Sequence, residues 1–343
     1  MARPDRFTRE QRRQVRELVA KFTPQIRAAF EAAIQNARAN LDFAALVSAL
    51  DAGDLYRANA MLTISQAQLF PLEEAIRTAI IGSGISVPSL RTTQGTFGFN
   101  GRHPRAEALI AKMGAKMVTQ IGNPGVEVIR TVLLQGQTEG VGVQKVARRL
   151  AGTINPRTGI REGGIIGLDG PRADRSMRVR EILNDPEQIA RYFKGKAPRY
   201  ASTDRRFDKQ VRAAIAEGRA LDKATIEKIT KAHDARLLLD RGKTIAAHEA
   251  FTAQAQGRNE AYLQLMEGGK VESITKRWDH NTLKHPRTDH KALDGSEVAL
   301  DKGFAMADGA VLQYPHDPSA GPNHTLKCRC SVVYIPQFKR PGQ

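Results

Sequence analysis

Apolar residues recur at helical spacing over most of the first 270 positions. Val15, Leu18, Val19, Phe22, Ile26 and Phe30 follow the i, i+3, i+4, i+7 rule, with Arg and Lys on the opposite face. Residues 7–50 therefore read as helix, with Thr8 able to cap and Glu10 and Gln11 in the first turn. A second stretch over 55–81 carries Leu62, Ile64, Ala67, Phe70 and Ile76, with Pro71 as a point of break or restart. Further helices are predicted over 104–121, over 125–135, and after Gly142 on the face of Val146, Ala147 and Leu150. A long one covers 221–268, with Asp222 as N-cap and Gly268-Gly269 as the stop signal.

Two stretches break this pattern. Gly82–Pro104 holds Gly82, Gly84, Pro88, Gly95, Gly98 and Gly101 around Phe97 and Phe99 and reads as a loop or short hairpin, with the two Phe tucked onto nearby helices or left as a docking point. Gly152–Pro171 contains Gly159, Gly163, Gly164, Gly167 and Gly170, the mark of a flexible or closely approaching loop. Its spacing matches neither a GxxxxGK[ST] nor a strand-GxGxxG-helix phosphate cradle, which argues against a nucleotide fold.

Beyond Val271 the period changes. Ser273–Trp278, Leu312–Tyr314 and Ser331–Ile335 are short apolar runs punctuated by Pro286, Pro315, Pro318 and Pro322, and read as strands. The expected class is α+β: a mostly helical N-terminal body followed by a small C-terminal α+β domain with short antiparallel strands. The expected division is 1–122 helical, 123–270 a basic helical body, and 271–338 the C-terminal domain.

Charge narrows the partners. Lys and Arg total 53 against 36 Asp and Glu, a net charge of +17, which favours contact with polyanions, most simply nucleic acid. The basic run over 172–220 concentrates this charge. Arg191, Lys194, Lys196, Arg199, Arg205, Arg206, Lys209 and Arg212 are the candidate contacts to DNA or to an acidic protein surface. Tyr192, Phe193, Tyr200 and Phe207 interleave with them and read mainly as core. No helix-turn-helix, homeodomain or zinc-finger pattern supports sequence-specific DNA reading. No 18-residue apolar run is present, so no membrane span is expected, and the charged residues after Met1 do not read as a secretory signal.

Candidate chemistry lies near the C-terminus. His280, His285, His290, His316 and His324 fall in the last 70 residues with both cysteines, Cys328 and Cys330. A disulfide across one residue is strained, so reduced thiols and synthesis in the cytosol are expected. His290, His324, Cys328 and Cys330 form a candidate metal set, and Zn²⁺ is the ion that such ligands suit. A hydrogen-bonded, metal-free cluster is the plainer alternative. A Cys/His nucleophile, or Mg²⁺ held by Asp279, Asp289, Asp294 and the histidines, is the catalytic one, though no spacing is diagnostic of either.

These residues also carry a resemblance. Trp278, then Arg287-x-x-His290-x-x-Leu293-Asp294-Gly295, then Tyr314-Pro315-His316-Asp317, then Cys328-Arg329-Cys330, resemble the C-terminal signature of the Mu F-like (SPP1 gp7-like) head-morphogenesis, or minor capsid, proteins of tailed phages. Lys327 stands where that family usually has Asn. Leu239–Glu249 resembles a further element, with Ala247 and His248 in place of the usual Arg and Thr. The likeness covers roughly 125–335. It implies a non-enzymatic virion protein inside the head near the portal, present in the host cytoplasm during assembly. The implied partners are portal protein, capsid or scaffolding protein, and genomic DNA bound non-specifically during packaging or ejection. A virion-carried metal-dependent nuclease or toxin-like effector is the alternative.

Overall fold

The computed structural model describes residues 6–87, 91–92, 95–123, 125–193, 204–269, 271–280 and 287–339. Its helices are α1 (Arg6–Ala39), α2 (Phe43–Asp51), α3 (Leu55–Leu62), α4 (Gln66–Ile85), α5 (Pro104–Ile121), α6 (Val126–Thr138), α7 (Val143–Ala151), α8 (Gly170–Asn184), α9 (Asp208–Ala216), α10 (Lys223–Glu267), α11 (Thr288–Ala292) and α12 (Pro322–Thr325). Its strands are β1 (Arg91–Thr92), β2 (Gly95–Thr96), β3 (Thr153–Ile154), β4 (Arg161–Glu162), β5 (Val271–Asp279), β6 (Glu297–Ala299), β7 (Phe304–Ala305), β8 (Val311–Leu312) and β9 (Ser331–Phe338). Helix makes up 64% of the described residues, about twice the globular average, and the longer strands gather near the C-terminus. The α+β class read from the sequence is the observed one. Among the described residues no helix is long and apolar enough to cross a membrane.

The chain forms two compact units, each assembled from separated segments: 1–30 with 71–114 and 243–343, and 31–70 with 115–242. This differs from three consecutive stretches for a physical reason. Helices α1, α4, α5 and α10 each pass from one unit to the other, and a continuous 3.6-residue period does not reveal where the packing partner changes.

In the first unit, β6-β5-β9 make an antiparallel sheet with β5 central. Lys276 pairs with Tyr334 and Trp278 with Val332 on one side, and Arg277 pairs with Glu297 on the other. Trp278, Phe304, Leu312, Tyr262, Leu265 and Tyr334 fill its core. The Tyr262 and Tyr334 rings stack at 4.2 Å. Residues 250–258 of α10 are all buried, polar ones included. Arg258 donates from Nη2 to Gln11 Oε1 at 2.6 Å, so a guanidinium in the core is not left unmatched. Phe97 is buried and Phe99 packs against the same core, so the Phe pair is part of the fold.

In the second unit, α8, α9 and the start of α10 share a core of Val179, Leu183, Tyr192, Val211, Leu221 and Ile226. The glycine-rich segment is the close-approach kind of loop. Residues 163–168 are buried, and a Cβ on Gly164 would stand 2.3 Å from the Gly152 amide nitrogen. Arg241 donates to Gly167 O at 2.5 Å and to Ile121 O at 3.2 Å, and its burial pulls its pKa down to about 10. Asp222 caps α10 by accepting from Thr225 N at 2.8 Å.

Candidate metal centre

The sheet brings together residues that lie 50 positions apart in sequence. β5 ends at Trp278 and Asp279, α11 presents His290, and the turn before β9 presents Cys328 and Cys330. His290, Cys328 and Cys330 are all buried, and their ligand atoms lie within 4.8 Å of one another. His290 Nδ1 stands 3.4 Å from Cys328 Sγ and 3.7 Å from Cys330 Sγ. Bonds of about 2.3 Å to sulfur and 2.0–2.1 Å to nitrogen give a tetrahedron an S···N edge of about 3.6 Å. The two S···N distances thus already match tetrahedral edges.

Local structure fixes each of them. The Trp278 indole meets the His290 ring edge-on at 5.3 Å. Trp278 N donates to Ser296 O and Gly295 N to Trp278 O, which locks the Leu293–Ser296 turn onto β5. Gly295 has φ 82, a conformation open to glycine. Asp294 accepts from His280 N at 2.9 Å, and Arg287 donates to Leu326 O at 2.6 Å. Cys330 N donates to Cys328 Sγ at 3.3 Å. The Cys328 thiol is held well below the ordinary range, first by its hydrogen bond with Cys330 and then by His290 and His316, against the opposing effect of burial. A buried thiol biased toward thiolate is the form that ligates metals. Both cysteines are free thiols.

Beside this triad lies a second one, Asp289, His290 and His324. His324 stacks on His290 at 5.9 Å, directs Nε2 to Asp308 at 2.8 Å and holds Nδ1 3.5 Å from Asp289. His324 therefore joins the cluster through His290 and two carboxylates. Asp279 and Asp294 belong to neither group. Asp279 is engaged instead by Arg12, whose Nε lies 2.8 Å from Oδ2, and by Ser331 Oγ at 3.1 Å.

The basic run is only partly within the described residues, since Lys194, Lys196, Arg199 and Tyr200 lie outside them. Arg191, Arg205, Arg206, Lys209 and Arg212 are exposed. Tyr192 is fully buried, while Arg212 lies over the half-buried Phe193 ring at 4.4 Å. Arg206 is matched by Asp204, which accepts from its Nε at 2.9 Å and whose carboxyl is drawn down to about 2, chiefly by that arginine.

A feature not foreseen from the sequence lies in the second unit. A cavity of about 310 Å³ is lined by Lys145, Arg148, Arg149, Arg180, Lys228 and Lys231, against Glu162, Glu227 and Asp234. Its residues come from α7, α8, α10 and the glycine-rich loop, so only the fold could gather them.

Comparison with family models, with curated proteins and with solved structures finds no match to this chain.

Proposed function

We propose that this chain is a minor capsid, head-morphogenesis protein of a tailed phage, acting by contact rather than by catalysis. It sits inside the head near the portal and touches portal protein, capsid or scaffolding protein, and genomic DNA. The observation that supports this best is that Trp278, Arg287, His290, Leu293, Asp294, Gly295, Cys328, Arg329 and Cys330, the residues that carry the family resemblance, fall in and around one structural knot. The knot joins β5, α11 and the turn into β9. Position 327 adds weight. Lys327 adopts φ 59, a left-handed conformation that Asn enters readily, and Asn is the residue the family usually has there. The +17 charge and the exposed Arg191, Arg205, Arg206, Lys209 and Arg212 suit a neighbour of packed DNA, since Lys and Arg displace phosphate counterions. In this reading the knot holds Zn²⁺ as a structural staple.

Mass spectrometry of purified particles of the phage that encodes the chain tests the location: a few copies per particle are expected. A plasmid-nicking assay with Mg²⁺, Mn²⁺ or Zn²⁺ tests the alternative. Nicking by the wild-type chain that disappears in His290→Ala would replace the structural reading with a metal-dependent nuclease.

A further inference from the structure

Six cations converge on the cavity of the second unit, and too few carboxylates meet them. Lys145, Arg148 and Arg149 come from α7, Arg180 from α8, and Lys228 and Lys231 from α10. The glycine-rich loop supplies a further wall. A Cβ on Gly152 would lie 2.4 Å from Glu162 O, and one on Gly163 would lie 3.2 Å from Lys231 Cγ. The missing side chains therefore let the loop lie close against α7 and α10.

The pairing inside the cavity is uneven. Arg180 grips Glu227 with two prongs, Nη1 to Oε1 at 2.7 Å and Nη2 to Oε2 at 3.0 Å. Lys231 meets Glu162 at 2.8 Å. Arg149 donates from Nη2 to Glu139. Lys145 is left with a distant contact to the same Glu227, at 3.9 Å. Arg148 and Lys228 are exposed and make no ion pair among the described residues. Asp234 is the last carboxylate in the wall, and burial raises its pKa to about 7, so it carries only part of a charge near neutrality. With Glu139 included, the six cations exceed the carboxylates by two charges, and by three when Asp234 is protonated. Arg149 adds a second sign. Its side chain is 6% exposed, and its Nε and Nη1 have no hydrogen-bond partner. A buried guanidinium left partly unmatched favours an incoming oxyanion.

We propose that this cavity binds a phosphate group, presented as the free anion, on a nucleotide or in a nucleic-acid backbone. An excess of two to three charges suits a phosphate dianion or two neighbouring backbone phosphates better than a single carboxylate. Arginine forks and lysine point charges are the side chains that recognise phosphate. A volume of about 310 Å³ is that of a small ligand pocket. The site depends on neither the metal reading nor the phage reading.

The test is isothermal titration calorimetry of the full chain with inorganic phosphate, in about 0.1 M NaCl, where charges more than about 10 Å apart are largely screened. Saturable binding is expected, with Kd on the order of 1 mM or tighter. Arg148→Ala/Lys228→Ala breaks no ion pair, so the fold is kept, which circular dichroism checks. It is expected to weaken phosphate binding by about 10-fold or more, the effect of roughly 1.4 kcal/mol. Arg205→Ala/Lys209→Ala/Arg212→Ala removes more charge outside the cavity and is expected to leave phosphate affinity within about 2-fold, since distant charges are screened. Competition then identifies the source. Displacement of phosphate by a short thymidine oligonucleotide points to a nucleic-acid backbone, displacement by AMP alone to a nucleotide, and displacement by neither to the free anion; all three keep the site. No saturable phosphate binding, unchanged binding in Arg148→Ala/Lys228→Ala, or equal losses in the two variants would overturn the assignment and leave the cluster as an ion-pair network.

Discussion

Gln11 of α1 stands in for a neighbouring strand at Tyr334 of β9. Its Nε2 donates to Tyr334 O at 2.8 Å, and its Oε1 accepts from Tyr334 N at 3.0 Å. β9 is an edge strand, so these two backbone groups face away from β5. The side-chain amide satisfies them and also receives Arg258. Gln11→Leu leaves a buried N–H, a buried C=O and a guanidinium short of partners. A loss of about 3 kcal/mol is expected in urea unfolding, because unmatched buried groups cost roughly 1–3 kcal/mol each and neighbours relax in part. A loss under about 0.5 kcal/mol would show that the edge is satisfied by water.

Helices α4 and α10 touch backbone to backbone. A Cβ on Gly257 would lie 2.1 Å from Ile80 O, so no side-chain rotation relieves the clash. Gly257→Ala, normally favourable within a helix, is here expected to destabilise the protein by about 3 kcal/mol or more, the upper range for overpacking. A raised melting temperature would show that this approach is looser than described.

Lys327 and His316 are the two non-glycine residues with positive φ among the described residues. Lys327 is exposed, so its conformation carries little packing constraint. Lys327→Asn is expected to stabilise the chain by about 0.5–1 kcal/mol, part of the left-handed penalty of other residues. The check is equilibrium unfolding with and without Zn²⁺, with the gain present in both.

Asp234 is buried, with Ser176 Oγ donating to its Oδ1. Burial, opposed in part by Ser176 and nearby arginines, raises its pKa to about 7 from 3.8. Between these values the folded state binds more protons than the unfolded one, so this group's contribution to stability falls as pH rises from about 4 to 7 and is flat above. Asp234→Asn imitates the protonated acid. Its stability relative to wild type is expected to improve between pH 4 and pH 8 by on the order of 4 kcal/mol at most. A pH-independent difference between the two proteins would show that the carboxyl titrates normally.

For DNA, Arg205→Ala/Lys209→Ala/Arg212→Ala removes three exposed cations from one face of the second unit. If each meets a phosphate, the slope of log affinity against log salt is expected to become shallower by about 3 on a random-sequence duplex. An unchanged slope would assign DNA contact to other residues, with the Lys145–Lys231 cavity the next place to test.

The sequence told most where local chemistry decides structure. The long helices, the Asp222 cap, the strand Val271–Asp279 and the convergence of His290 with both cysteines follow from periodicity, capping and residue type. What pattern does not carry is which surfaces meet. The passage of α1 and α10 between two units, the cation-lined cavity and Gln11 at the edge of β9 all depend on partners far away in sequence.

The Gln11–Tyr334 contact spans 323 residues, and the unit it closes is interrupted by the whole of 115–242. On the ribosome this sets an order of events. Residues 31–70 and 115–242 can finish their own unit while the last hundred residues are still being made, and the first helix must wait without its strand. Until β9 emerges, Gln11 of α1 lacks the Tyr334 backbone groups that it pairs with. That interval, rather than the finished molecule, is when the chain is most exposed to aggregation, and when a holding partner would matter most.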